Sequence, residues 1–158
     1  MEYIVRPALP EDLPGLKKLL YQVNQIHADG RPDLFKDGGI KYTDEELKEI
    51  LRDPRRPVWV CAEEDQVLGY VFCILEETRE TMSLRPCHTL YIDDLCVDEQ
   101  YRRKHIGKKL YEFVLDVARE NGCDSVTLNV WSVNPSAEQF YQKMGMQPLK
   151  TYMETILK

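Results

Sequence analysis

Two short stretches hold the residue types for phosphate and proton chemistry. "YRRKHIGKK", residues 101–109, gathers Arg102, Arg103, Lys104, Lys108 and Lys109 around Gly107, with His105 among them. "YIDDLCV", residues 91–97, sets Asp93 and Asp94 side by side within an apolar run. Two adjacent carboxylates attract a cation, and one of them can then take its proton. Tyr141, in "QFYQKM", is a phenol able to give a proton up. It also lies on an apolar stripe with Ala137, Phe140 and Met144, which fits a packed core tyrosine equally well.

The basic stretch runs into the helical pattern "HIGKKLYEFVLDVAREN". The first turn of a helix has N–H groups without intrahelical partners, and with the dipole they favour an anion. Cations there are unfavourable by about 0.3–1 kcal/mol each, a penalty that a phosphate relieves. Gly107 would let an anion approach the backbone. A solvated basic loop and a nucleic-acid patch are the other readings of the same residues. Lys109 stands where a Walker loop has Ser or Thr, so that motif is excluded.

In "HTLYIDDLCV" the apolar positions change parity: Leu90 and Ile92 are even, Leu95 and Val97 odd. Strand side chains alternate faces, so one extra residue near Asp93 and Asp94, a β-bulge, would return all four to one face. A strand buried on both faces also fits.

The elements that must position these residues follow from periodicity and punctuation. Strands are expected over "YIVRPAL", "PVWVCAEE", "VLGYVFCILEE", "CHTLYIDDLCV", "SVTLNVW" and the terminal "PLKTYMETIL". The second and third form a hairpin joined by "DQ". Helices are expected over "PEDLPGLKKLLYQVNQIH", over "TDEELKEILRD" with Thr43 as N-cap, over residues 105–121, and over "PSAEQFYQKMGM" with Asn134 as N-cap. "ADGRPDLFKDGG" reads as loop, and Trp59 and Trp131 as core. The order β, α, α, β, β, β, α, β, α, β makes one mixed α/β domain over residues 1–158. Its sheet is mostly antiparallel, with a parallel strand–helix–strand unit over residues 89–131.

The match Arg102-x-x-His105-x-Gly107 resembles the acyl-CoA-binding motif of the GNAT acetyltransferase superfamily, Arg/Gln-x-x-Gly-x-Gly/Ala. "YIDDLCV", "NPSAEQFYQKMGM" and "YMETIL" resemble that superfamily in the same order. "YIDDLCV" is most similar to the diamine and polyamine acetyltransferase branch. The resemblance implies a sheet splayed by the bulge and an acetyl-CoA-dependent N-acetyltransferase acting in a ternary complex on a primary, small cationic amine. It implies that the turn at Arg102, Arg103, Lys104, His105, Ile106, Gly107 and Lys108 holds the coenzyme's diphosphate. Leu95, Cys96 and Val97 would pair with its pantetheine arm, and Asn134 would join the cofactor site. Tyr141 would be the general acid, Asp93 the base and Asp94 an acceptor-binding residue. His27, Arg31 and Asp33 would line the acceptor side. His105 departs from the usual glycine. Asn129 stands where the ribosomal-protein N-terminal acetyltransferases have a glutamate base, which lowers the protein-N-terminus reading. Protein lysine or N-terminal acetylation, and a coenzyme-A-binding regulatory module without turnover, are the alternatives. The family is often dimeric, so a homodimer is possible.

The chain has 158 residues, 43% hydrophobic and 30% charged, with formal net charge −6. That balance argues against a nucleic-acid partner and suits a cationic acceptor. No apolar run reaches the roughly 18 residues of a membrane span, and no signal-peptide pattern opens the chain. Cys61, Cys73, Cys87, Cys96 and Cys123 lack metal-site or disulfide spacing. The expectation is a cytoplasmic protein without a metal. Cys87 and His88 receive no role.

Overall fold

The computed structural model describes residues 2–158. Strand β1 (Ile4–Pro7) leads through a 3-10 turn at Pro10–Asp12 into helix α1 (Leu13–Gly30), and α2 (Asp44–Arg52) follows. Strands β2 (Val58–Glu63), β3 (Gln66–Thr78) and β4 (Cys87–Val97) come next. A second 3-10 turn at Glu99–Tyr101, α3 (Ile106–Glu120), β5 (Ser125–Leu128) and α4 (Pro135–Lys143) complete the order. The sheet runs β1-β2-β3-β4-β5. All neighbours are antiparallel except β4 and β5, the expected parallel unit around α3.

Local chemistry sets the helix starts. Thr43 accepts from the Glu46 N–H at 3.1 Å while Glu46 reaches back to the Thr43 N–H at 3.1 Å, a capping box on α2. Asn134 accepts from the Ala137 N–H at 3.3 Å, with Pro135 at the first helical position of α4.

The sheet is covered on both faces. Leu16, Leu19, Leu20, Leu47 and Ile50 from α1 and α2 pack on Val60, Tyr70 and Phe72. On the other face Ile106, Leu110, Tyr111 and Val114 of α3 pack on Cys61, Leu68, Val71 and Cys73. Each buried Leu, Ile, Val or Phe among them contributes about 1.5–3 kcal/mol. Among the described residues no helix is long and apolar enough to cross a membrane.

The register of β3 on β4 slips at one point: Phe72 pairs with Asp94, but Cys73 pairs with Ile92, which leaves Asp93 as the extra residue. This is the bulge expected from the parity change. Leu90, Ile92, Leu95 and Val97 all pack on the α3 side of the sheet. Both acids therefore turn toward the α1 and α2 side.

Four details depart from the sequence reading. The hairpin turn is Glu64 and Asp65, one residue earlier than "DQ"; Glu64 supplies the positive φ of 54° that such a turn demands. Helix α1 absorbs 28–30, since Arg31 N–H still reaches the His27 carbonyl at 2.7 Å. Strand β5 stops at Leu128 because β4 offers it no partner beyond Ile92. Finally, "PLKTYMETIL" forms no strand: residues 147–158 run without secondary structure and pair with no strand. A strand exists only by pairing, and among the described residues no strand edge pairs with this segment.

Candidate active site

Where β5 stops, β4 continues alone on that side. Residues 94–97 stay paired to β3 but, among the described residues, no strand pairs with their other edge. Backbone groups on a free edge need partners, and an extended amide-bearing chain can add there like a strand. Leu95, Cys96 and Val97 lie on this edge. The Cys96 thiol is itself buried, 3.6 Å from the Leu19 carbonyl, so only its backbone is available.

The turn after β4 is built by Asp98. Its buried carboxylate accepts from the Gln100 N–H at 3.1 Å, from Lys18 at 3.0 Å and from Gln22 at 3.4 Å. Burial pushes this carboxyl up, but those donors outweigh it and hold it below its ordinary value. Sequence reasoning missed Asp98, Lys18 and Gln22, because nothing in the local pattern signals a contact 80 residues apart. Arg103 and His105 then take positive φ, 66° and 61°. His105 sits in the left-handed region as the N-cap of α3, a conformation that histidine enters more readily than most residues.

Among the described residues no carboxylate lies within ion-pair distance of Arg102, Arg103 or Lys104; Lys104 lies over the Tyr101 ring at 5.3 Å. Lys108 is 3.8 Å from Glu112, and Lys109 turns away to donate to the Tyr3 carbonyl. Three cations without counter-charges thus flank the start of α3, which suits a diphosphate. Gly107 also has a packing role that the sequence did not show. It lies inside α3 with negative φ, and a Cβ there would meet the Phe140 ring at 3.2 Å. The glycine lets α4 dock against α3, and that docking places Tyr141.

Tyr141 is deep between the Phe140 and Tyr111 rings, at centroid distances of 5.2 and 6.3 Å. Its hydroxyl has no hydrogen-bond partner among the described residues, yet no buried polar side-chain atom is left unsatisfied, so the hydroxyl opens onto solvent. Burial and then the charge of Asp94 hold the phenol well above its ordinary pKa, so it stays protonated.

The two acids differ. Asp93 accepts from the Tyr42 hydroxyl and lies 3.3 Å from the Lys41 ammonium. Arg56 donates to the same Tyr42 oxygen at 3.1 Å. Lys41 and Tyr42, from the loop before α2, therefore occupy Asp93. Asp94 accepts from the buried Tyr70 hydroxyl at 3.0 Å and, among the described residues, has no cation within ion-pair distance. It is half-buried, and burial pushes its carboxyl up to about 6, with Lys41 and Tyr70 opposing and Asp93 adding. Tyr42 and Tyr70 were not among the expected site residues, because only the tertiary fold brings them to the acids.

The acceptor-side residues form a second group. His27 packs on Phe35 and Trp131 at 4.9 and 6.1 Å, and burial, then Lys41, depress its pKa. Trp131 is 45% exposed, not core, because it lies beyond the end of β5. Arg31 is held in a two-pronged pair with Asp33 at 2.9 and 2.8 Å, and also by Glu154. The Asn134 side-chain oxygen is committed to its helix cap. Asn129 donates to the Tyr91 hydroxyl at 2.9 Å. Among the described residues no three His, Cys, Asp or Glu side chains are placed to hold a metal ion.

The site thus combines a bulged strand with a free edge, a basic helix start and a docked tyrosine. Residues 20–146 match the model of the Acetyltransferase (GNAT) family, and the chain belongs to that family. It is 33% identical over 88 residues to glucosamine 6-phosphate N-acetyltransferase of Arabidopsis thaliana, covering 55% of this chain and 57% of that one. It is 31% identical over 103 residues to thialysine N-epsilon-acetyltransferase of Bos taurus, covering 65% and 55%. The matched part spans little more than half the length of these relatives. A crystal structure of a mutant BH1408 protein from Bacillus halodurans superposes with a TM-score of 0.94 at 28% identity, over 98% of this chain and 99% of that one.

Proposed function

We propose that the protein is an acetyl-CoA-dependent N-acetyltransferase whose acceptor is a small cationic amine. The observation that carries this reading is the pair of acids on one face of the bulge, beside the free edge of β4. The relatives named as glucosamine 6-phosphate and thialysine N-acetyltransferases lend it weight, since both names denote transfer to an amine of a small molecule.

The residues present fit acetyl-CoA. The free edge of β4 suits the amide-bearing arm, and Arg102, Arg103 and Lys104 at the α3 start suit the diphosphate. When bound, acetyl-CoA supplies the acetyl thioester that the amine attacks and the thiolate that leaves. Asp93 and Asp94 draw in the ammonium form of the acceptor. Asp94, with no cation on its oxygens, takes the proton, directly or through water, and frees the nitrogen lone pair. This moves the base from Asp93, whose carboxylate is occupied by Tyr42 and Lys41, to its neighbour. A backbone N–H of the 95–97 edge polarises the carbonyl. Tyr141 gives its proton to the leaving sulfur. His27, Phe35 and Trp131 flank the acceptor side as an aromatic wall. The proposal includes the cytoplasm as location: all five cysteines are free, which suits a reducing compartment.

The test is a screen of diamines, polyamines, aminoglycosides, thialysine, amino sugars and N-terminal peptides, read as thiol release from acetyl-CoA. The expected result is turnover confined to small cationic amines. Turnover with peptides alone would reverse the acceptor class, and binding of acetyl-CoA without thiol release in any arm would leave a non-catalytic module.

A further inference from the structure

Lys41 sits where the proposed reaction needs a cationic acceptor. Its ammonium lies 3.3 Å from the Asp93 carboxylate and donates to the Asp93 carbonyl at 3.1 Å. The face of the Tyr42 ring is 5.6 Å from it, within cation–π range. A carboxylate, a carbonyl and an aromatic face together make a seat for an alkylammonium ion. A lysine side chain is such an ion on a flexible four-carbon tether.

The seat and its occupant are held differently. The Tyr42 ring stacks on buried Phe72 at 5.8 Å, its hydroxyl donates to Asp93, and Arg56 donates to its oxygen at 3.1 Å. Asp93 is the bulge residue, with β3–β4 pairs on either side of it, and its side chain is only 14% exposed. Lys41 belongs to the loop before α2, and its side chain is 41% exposed. An ion pair this open to water on one side is weak enough for another cation to displace. The Lys41 charge also acts on both Asp94 and His27, so the ammonium lies within electrostatic reach of the free acid and of the aromatic group around Trp131.

We propose that Lys41 is a specificity-determining residue: a tethered competitor that fills a second ammonium seat on Asp93 and yields it to an acceptor carrying two ammonium groups. The inference rests on the acceptor site proposed above. With Lys41 seated, one acid is paired and the other is free, so a monoamine takes Asp94 and leaves the lysine where it is. A diamine sets its reacting amine at Asp94 and its other ammonium on Asp93, and the Lys41 side chain swings out into water. The apparent affinity for the diamine is reduced to the extent that the seat is already filled.

The test is calorimetric titration of the full chain with 1,4-diaminobutane and with 1-aminobutane, in the wild type, Lys41→Met and Lys41→Arg. Methionine keeps much of the stem and drops the charge, so diaminobutane should bind roughly 3- to 10-fold more tightly, and aminobutane should change by about twofold or less. Arginine keeps the charge and should tighten neither. Lys41→Gln repeats the neutral arm with a polar side chain, and melting temperatures near wild type show that the loop still folds. No detectable diamine binding, an unchanged or weaker diamine affinity in both neutral variants, equal gains for the two amines, or the same gain with arginine would each overturn the competitor. Thiol release from acetyl-CoA, followed on the same proteins, keeps the two readings apart. Tighter diamine binding without thiol release would overturn the acceptor reading and leave the competitor standing. Thiol release with an unaltered diamine affinity would do the reverse.

Discussion

Asp94→Asn lowers kcat/KM for a diamine acceptor by roughly 10²–10³-fold, within the usual range for loss of a general base. It also makes the protein more stable at pH 8. The Asp94 carboxyl is raised by burial from 3.8 to about 6. A carboxyl with a raised folded-state pKa favours the fold while protonated, and that contribution is lost as pH climbs through about 6. At pH 8 the wild type therefore carries a half-buried charge costing about 2 kcal/mol, which asparagine relieves while still accepting from Tyr70. The melting temperature of the variant should exceed that of the wild type by roughly 4–8 °C at pH 8, with the gap closing near pH 4. Kinetics and thermal denaturation across pH 4–9 check both parts. The wild-type kcat/KM should rise through pH 6, and the variant should lack that limb. Asp93→Asn, by contrast, frees Tyr42 and Lys41 and should raise KM more than it lowers kcat. If Asp93→Asn abolished turnover and Asp94→Asn did not, the base would return to Asp93.

Tyr141→Phe lowers kcat by about 10²-fold and leaves both acetyl-CoA affinity and melting temperature near wild type. The reason is the unpartnered hydroxyl. A core tyrosine that loses a hydrogen-bonded hydroxyl leaves its former partner unsatisfied, at a cost of roughly 1–3 kcal/mol. Tyr141 has no such partner, while its ring contacts with Phe140 and Tyr111 survive in phenylalanine. Calorimetric titration with acetyl-CoA and single-turnover kinetics separate affinity from chemistry. A variant that keeps wild-type turnover, or that unfolds several degrees lower, would make Tyr141 a packing residue.

How far the site could be read from the chain itself depended on the range of each interaction. The change of parity between Ile92 and Leu95 is local, and it revealed the bulge, because a strand has only two faces. The helix starts at Thr43 and Asn134 were legible for the same reason: a cap acts within three residues. The cations of residues 102–104 could be seen, but not the buried Asp98 that shapes their turn through α1. Gly107 was visible as a glycine, whereas its contact with the Phe140 ring comes from another helix. The division of labour between Asp93 and Asp94 was beyond reach, since Tyr42 and Tyr70 approach from a loop and a strand more than twenty residues away. The terminal stretch had the composition of a strand, yet composition does not supply the neighbouring edge that a strand needs.

The central claim is that the free edge of β4 and the start of α3 hold acetyl-CoA with its thioester between Asp94 and Tyr141. Determining the crystal structure of the protein with acetyl-CoA tests it most directly. The account predicts diphosphate oxygens on the backbone N–H groups of residues 103–108, the pantetheine arm paired with residues 95–97, and the sulfur nearer the Tyr141 hydroxyl than any other side-chain donor. Diphosphate bound elsewhere, or an arm that leaves the 95–97 edge unpaired, would contradict it.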